Sequence, residues 1–370
     1  MTGHGGNIYR AAEETGMPES KIIDFSASIN PLGVPKSVVS AIVKSSRYLF
    51  NYPDPDATEL RQYLSKHYHI NIDSVLCGNG STELIYLVAR ALKPGKVLIP
   101  QPAFSEYERA VFQNIVPPTP PSPSRGKGEG GGGRLIKYLI LNKENNFEIE
   151  TDAFIKAMKG CDMAFLCNPN NPTGGLVKKR EVLKIADAAK KMECYLAIDE
   201  AFIDFCPENS VIKNVQENPY LIVLRSMTKF YALSGLRIGY GVFPQHLIKK
   251  LNMHKEPWTV NTLAQKAGIA ALNDKAYEKK TLALIRKEKK FLENIFKKVG
   301  IKFFHSDANF YLLKMSNAVE ICKKLKKKGI LVRDCSNFRG LGRDYIRVAV
   351  KTRKDNEALI RALNLIKEGG

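Results

Sequence analysis

Apolar positions along this chain follow two rhythms. From Val75 onward, short unbroken apolar runs closed by polar or turn residues alternate with stretches whose apolar residues recur at helical spacing. "VLCGNGSTELIYLVARAL" reads as a strand, a glycine turn and a helix, and "KVLIPQP" as a strand halted by proline. "KYLIL", "MAFLCNPNNPTGG", "CYLAIDEAFIDF", "LIVLRSMTKF" and "RIGYGVF" continue the series of strands. Strands alternating with helices predict an α/β fold with a wound, mostly parallel sheet, whose ligands bind at the carboxyl ends of the strands. The polar residues gather at those ends. Past about Trp258 the pattern turns to long charged helices, then "NFYLLKM", a helix, "ILVRDC" and "DYIRVAV", which together predict a smaller C-terminal α/β domain. The expected organisation is an N-terminal arm over 1–30, a large domain over 31–255 and a small domain over 256–370.

One segment breaks the rhythm. "PPTPPSPSRGKGEGGGGR", 117–134, is mostly proline and glycine, cannot bury apolar surface, and predicts a mobile surface loop. It contains a formal G-x-G-x-x-G at Gly126, Gly128 and Gly131. A dinucleotide fingerprint follows a strand and opens a helix, whereas proline-rich sequence precedes this one, so the match is rejected.

Composition narrows the function. The 370 residues are 44% hydrophobic, enough for a sizeable core, and no apolar run approaches the length that crosses a bilayer. The start carries no basic flank followed by an apolar core, so a cytoplasmic protein with no membrane partner is expected. Seven cysteines without a C-x-x-C pair read as reduced core thiols, with no metal site. Lys plus Arg outnumber Asp plus Glu by 57 to 37, a net charge of +20, which suits nucleic acid, an acidic surface or small anionic substrates. The densest basic run, "CKKLKKKG" at 322–329, keeps Ile321 and Leu325 at helical spacing and is the wet face of an amphipathic helix. No nucleic-acid-binding motif accompanies it, which disfavours nucleic acid as the partner.

The candidate chemistry lies at strand ends. Lys229 follows the apolar run "LIVLRS", where burial and neighbouring cations would lower its pKa and free its amine to attack a carbonyl. Ser226, Thr228 and Arg237 bring hydroxyls and a guanidinium fork suited to a phosphate. Gly80, Ser81 and Thr82 open a helix, whose free N–H groups attract an anion or simply form an N-cap. Asp199 closes "CYLAID", where its carboxylate could pair with a cationic ring nitrogen or merely enter a turn. Asn171 lies in a proline-restricted turn that could present its amide to a phenolic oxygen. A Schiff-base lysine, a two-part phosphate cradle, an acid for a pyridinium and an amide for a ring hydroxyl together form the pattern expected of a pyridoxal phosphate site.

Here the sequence resembles a known family. "NPNNPTG", "DEAFIDF", "SMTKFYALSGLRIGY", "ILVRD" and "YIRVAV" look like the fold type I aminotransferases. The likeness is to the branch that holds the histidinol-phosphate aminotransferases and the L-threonine-O-3-phosphate decarboxylases of cobalamin biosynthesis. It covers nearly the whole chain outside the proline and glycine insert. It implies that Lys229 is the Schiff-base lysine, that Asp199 holds the pyridinium and that Asn171 bonds the ring oxygen. It also implies that Gly80, Ser81, Thr82, Ser226, Thr228 and Arg237 hold the cofactor phosphate and that Phe104 stacks on the ring. Tyr52 would reach that phosphate from the other subunit of a homodimer with shared active sites. Arg333 and Arg347 fall on the family's carboxylate-binding arginines, for which a guanidinium fork gives a bidentate match.

Three segments, "HGGN" at 4–7, "DFSASINPLG" at 24–33 and "PWTVN" at 257–261, look like the decarboxylase versions. Phe202 follows "DEA" where aminotransferases of this branch usually have tyrosine. The resemblance therefore implies decarboxylation of L-threonine O-3-phosphate, with histidinol-phosphate aminotransferase activity as the alternative. The substrate phosphate would be held by the N-terminal arm, with His4 and Asn30 as candidates. A non-catalytic binding or regulatory module on the same fold is disfavoured by the intact lysine, aspartate and arginine set.

Overall fold

The structure is a computed structural model that describes residues 5–113 and 135–368. The loop expected over 117–134 and the candidate His4 lie outside the described residues. Along the chain the strands are β1 (Ile23–Asp24), β2 (Val75–Gly78), β3 (Lys96–Gln101), β4 (Leu135–Ile140), β5 (Met163–Cys167), β6 (Tyr195–Asp199), β7 (Leu221–Ser226), β8 (Gly239–Val242), β9 (Lys302–Phe303), β10 (Phe310–Lys314), β11 (Ile330–Leu331), β12 (Arg333–Asp334) and β13 (Tyr345–Ala349).

Seven of them form one sheet in the order β2-β8-β7-β6-β5-β3-β4. Its contacts are parallel except those of β8, which runs against both β2 and β7. The alternation of side chains across a strand divides the core in two. Leu166, Ile198 and Val223 face one apolar cluster that takes in Val182, Ile185 and Ala189 of the helix Lys179–Lys191. Phe165, Ala197 and Leu224 face the other, against Leu84, Leu87 and Val88 of the helix Gly80–Leu92. Covered on both faces, β5 and β7 are buried at every residue, which is why they read as unbroken apolar runs.

A second sheet, antiparallel in the order β12-β13-β10-β9, packs its apolar face on Ile285, Leu292 and Phe296 of the long helix Lys275–Lys298. The remaining pair is β1 with β11, parallel, with Ile23 opposite Ile330. Just beyond β1, the Phe25 N–H donates to Leu331 O at 2.7 Å, and the Ala349 N–H donates to Phe25 O at 2.9 Å. The segment that follows β1 is thereby tied to the second sheet and laid along the mouth of a cavity between the two.

Candidate active site

Four adjacent parallel strands end at this cavity: β7 with Ser226, β6 with Asp199, β5 with Cys167 and β3 with Gln101. In-register pairing sets Cys167 beside Asp199 and Asp199 beside Leu224, so the polar residues form one row. The cavity holds about 720 Å³, room for a cofactor and a small substrate.

At one end lies an anion cradle. The N-terminus of Gly80–Leu92 presents Ser81 and Thr82 to the cavity, opposite Ser226 and Thr228, whose hydroxyls bond each other at 2.7 Å. Gly80 adopts φ +77°, and a Cβ on it would lie 2.7 Å from Arg237 Nη2, so glycine is what lets the guanidinium close on the helix terminus. Gly239 is equally constrained, because a Cβ there would fall on the backbone nitrogen of Ser81.

Lys229 lies beyond β7 and half-buried on the cavity wall. Burial lowers its pKa from 10.5 to about 8, aided by the cations Arg347 and Arg237 and opposed by Asp24 and Asp199. Asp199 is 4% exposed, and burial raises its pKa. The Tyr107 hydroxyl donates to its Oδ2 at 2.7 Å, and the Ala201 N–H donates to Oδ1 at 3.0 Å, both favouring the ionised form. Behind this row, on the far side of the strands, Arg225 is buried against the carboxylates of Glu200 and Asp204. Glu200 and Arg225 are chain neighbours of Asp199 and Ser226, so their ion pair pins the two strand ends that carry the site.

The other end is cationic. Arg347 on β13 donates through Nη2 to Ser26 O at 2.9 Å and through Nη1 to Asn171 Oδ1, with its guanidinium 5.1 Å from the centre of the Phe310 ring. Burial brings its pKa down to about 10. The "NPNNPTG" loop that presents Asn171 is braced by its own asparagines: Asn168 Nδ2 donates to Val177 O, and Asn170 Nδ2 to Thr173 Oγ1. Arg333 also lines the cavity, donating to Asn337 Oδ1 at 2.9 Å and lying over Phe338. Phe202 is 4% exposed on the wall, edge-on to Phe310 at 5.0 Å, so no phenol stands at that position.

The structure thus brings Lys229, Asp199, Asn171, Phe104, Arg333, Arg347 and the cradle residues to one cavity. Three candidates fall elsewhere. Gly80 touches Arg237 rather than the cavity itself. Tyr52 is 81% exposed on the surface, its ring 5.1 Å from that of Trp258. Asn30 is not among the residues that line the cavity. It is 2% exposed, its amide donates to Phe230 O and Thr281 Oγ1, both at 2.7 Å, and its Oδ1 accepts from Leu32 N–H. These bonds fasten the segment after β1.

Sequence reasoning missed Tyr107, Cys167, Ser26 and Ser28. Tyr107 reads as an ordinary apolar position of an amphipathic helix, and the two serines reach the site only through the pairing of β1 with β11. Ser28 Oγ and Arg347 Nε are buried without a hydrogen-bond partner, and Ser28 and Arg347 both line the cavity. Two such donors, an amine of depressed pKa, a buried carboxylate and a separate anion cradle fit pyridoxal phosphate together with an anionic amino acid. Among the described residues, no cluster of histidine, cysteine and carboxylate could hold a metal, and all seven cysteines are free.

A wound sheet carrying a lysine, an aspartate and an anion cradle on adjacent strand ends defines an enzyme of the aminotransferase type. Residues 20–363 match the profile of Aminotransferase class I and II, and the chain belongs to that family. It is 37% identical over 371 residues to the threonine-phosphate decarboxylase of Salmonella typhimurium, covering 99% of this chain and 97% of that one. It is also similar to the crystal structure of L-threonine-O-3-phosphate decarboxylase from Porphyromonas gingivalis. That likeness has a TM-score of 0.78 and 27% identity, over 93% of this chain and 99% of the other. The histidinol-phosphate aminotransferase of Clostridium acetobutylicum superposes with a TM-score of 0.83 at 30% identity, over 94% and 99%.

Proposed function

We propose that the chain is a pyridoxal-phosphate-dependent carboxy-lyase that converts L-threonine O-3-phosphate to (R)-1-aminopropan-2-yl phosphate and carbon dioxide, for cobalamin biosynthesis. The observation that carries this reading is the 37% identity, over nearly the whole of both chains, to a threonine-phosphate decarboxylase.

Pyridoxal phosphate, when bound, supplies the electron sink that makes a bond at Cα breakable. The chain supplies attachment, orientation and a proton. Lys229 would hold the cofactor through its amine, with Asp199 to pair with the ring nitrogen, Asn171 to bond the ring oxygen and Phe104 to cover one face of the ring. Ser81, Thr82, Ser226, Thr228 and Arg237 would take its phosphate. Arg347 and Arg333 take the substrate carboxylate. Arg347 is fixed by Ser26, Asn171 and Phe310, so it sets the angle of the scissile bond, and that angle decides whether carbon dioxide or the Cα proton departs. Lys229 Nζ would be placed to return a proton to Cα, which its pKa near 8 permits at neutral pH.

The working unit is a homodimer in which Tyr52 enters the partner's cavity. Supporting this, Val43, Leu49, Phe50 and Tyr52 are all strongly exposed on one short stretch, a surface that a second copy would cover. The test is incubation with pyridoxal phosphate and L-threonine O-3-phosphate in the absence of any keto acid. Equal amounts of carbon dioxide and phosphorylated amine, lost in Lys229→Ala, are expected. No release, with amino transfer from histidinol phosphate to 2-oxoglutarate instead, would replace this reading by the aminotransferase one.

A further inference from the structure

We infer that Tyr107 is a positioning residue for the cofactor: its hydroxyl holds Asp199 ionised and aimed at the ring nitrogen, while its ring props the Phe104 that stacks on the ring face. The inference rests on the pyridoxal phosphate reading of the cavity.

Tyr107 sits on the helix Glu106–Gln113, is 1% exposed and does not line the cavity, so it touches neither cofactor nor substrate. It is fixed on three sides. Its ring lies flat on Phe165 of β5, with centroids 4.8 Å apart and planes 13° from parallel. It meets Phe104 edge-on at 5.8 Å and 82°. Its hydroxyl reaches Asp199 Oδ2 at 2.7 Å. One side chain therefore braces two walls of the same slot, the carboxylate under the ring nitrogen and the aromatic over the ring face.

The hydroxyl has electrostatic work as well. A carboxyl buried among Phe165, Cys167 and apolar strand residues is driven toward its neutral form, which cannot pair with a protonated ring nitrogen. The groups opposing that drive are few: the Tyr107 O–H from its helix, the Ala201 N–H from the turn after β6, and the Lys229 ammonium from beyond β7. Cys167 on β5 also faces the carboxylate, but burial holds it as a thiol, with its pKa pushed up to about 12. Tyr107 cannot become anionic in competition, since burial beside Asp199 raises its own pKa well above 10.0. Without the hydroxyl, Oδ2 loses the donor that the described residues give it, and Asp199 takes up a proton at higher pH.

The experiment compares wild type, Tyr107→Phe, Asp199→Asn and the double variant as cofactor-free proteins. Equilibrium binding of pyridoxamine phosphate is followed against pH by its fluorescence. This probe forms no bond to Lys229, so the acid limb of the profile is not set by capture of the probe by that amine. Phenylalanine preserves both ring contacts, and circular dichroism with thermal unfolding checks that the fold is kept. In Tyr107→Phe the acid limb is expected to move about one unit upward, so that binding is about tenfold weaker at pH values below the limb. In the Asp199→Asn background the same change is expected to leave the profile unmoved.

The outcomes separate. Wild type that binds no probe overturns the cofactor reading itself. Normal binding by wild type with an unmoved limb in Tyr107→Phe overturns the role of Tyr107 and leaves the cofactor reading standing. A limb shift that persists in the Asp199→Asn background means the hydroxyl acts through some other group and also overturns it. The infrared carboxylate band of Asp199, taken as the difference between wild type and Asp199→Asn, gives a second readout of the same titration. That readout does not depend on ligand binding.

Discussion

Lys229 is kept in the cavity at a cost to stability, and that cost can be measured. Its pKa falls from 10.5 in the unfolded chain to about 8 in the folded one, mainly through burial, then through Arg347 and Arg237. A lowered lysine pKa means that the unfolded state holds the proton more tightly. The penalty is therefore fully present below about pH 8, and stability is regained as pH climbs from there to 10.5. The whole shift corresponds to about 3.5 kcal/mol at about 1.4 kcal/mol per unit. Water entering the open cavity reaches the half-buried amine, so a little under half of this, about 1.5 kcal/mol, is the net expectation. Lys229→Met keeps the length and apolar stem of the side chain while deleting the charge. Urea unfolding of cofactor-free wild type and variant should find the variant more stable by about 1.5 kcal/mol at neutral pH, with the gap closing above about pH 10. Decarboxylation should vanish in the same variant. A variant equal to or less stable than wild type at neutral pH, or a gap that does not change with pH, would refute the reasoning.

Other substitutions probe the rest of the site. Arg347→Lys forfeits the simultaneous bonds to Ser26 O and Asn171 Oδ1. Steady-state kcat/KM should fall by about a hundredfold or more, and a change under about threefold would remove Arg347 from carboxylate binding. Gly239→Ala places a Cβ against Ser81 N and 2.8 Å from Arg225 O, both backbone atoms. A loss of about 3 kcal/mol in urea unfolding is expected, and wild-type stability would mean that the strand and helix can part more easily than their packing indicates. Arg225→Ala leaves Glu200 and Asp204 buried without their cation, for a loss of about 3–5 kcal/mol that calorimetry would register. Phe202→Tyr adds a phenol to the cavity wall, and the ratio of amino transfer to decarboxylation should rise about tenfold in product analysis with 2-oxoglutarate present. An unchanged ratio would show that position 202 does not influence which bond breaks.

Residues legible in the sequence share one property: their role is set by local pattern. β5, β6 and β7 announce themselves as apolar runs, and where each run stops the parallel register sets Cys167 beside Asp199 and Asp199 beside Leu224, with Ser226 two residues further on. Strand direction was not legible in the same way. "RIGYGVF" looks like any other buried strand, yet β8 runs antiparallel between β2 and β7. Asn30, which lies off the cavity wall, and the missed Ser26 and Ser28 all lie just after β1. Their surroundings are made by residues some 200 to 300 positions away in the chain, such as Phe230, Thr281 and Asn309. Tyr107 escaped notice because its partner, Asp199, is on another strand's end, and a buried tyrosine on an amphipathic helix needs no further explanation until that hydroxyl is located.

The pairing of β1 with β11 also has a meaning for how the chain is made. Phe25, wholly buried, finds its backbone partners only at Leu331 and Ala349. During synthesis, at about 5–20 residues per second, the first thirty residues wait roughly 15 to 60 seconds before the segment around Ile330 leaves the ribosome. For that interval the seven-stranded sheet can already be wound, since its last strand ends at Val242, while the cavity still lacks the wall bearing Ser26 and Ser28. Nascent chains are therefore able to fold their larger half early but acquire a competent site only near completion, and a truncated product that stops before residue 330 would leave β1 unpaired and Phe25 uncovered for chaperones or proteases to find.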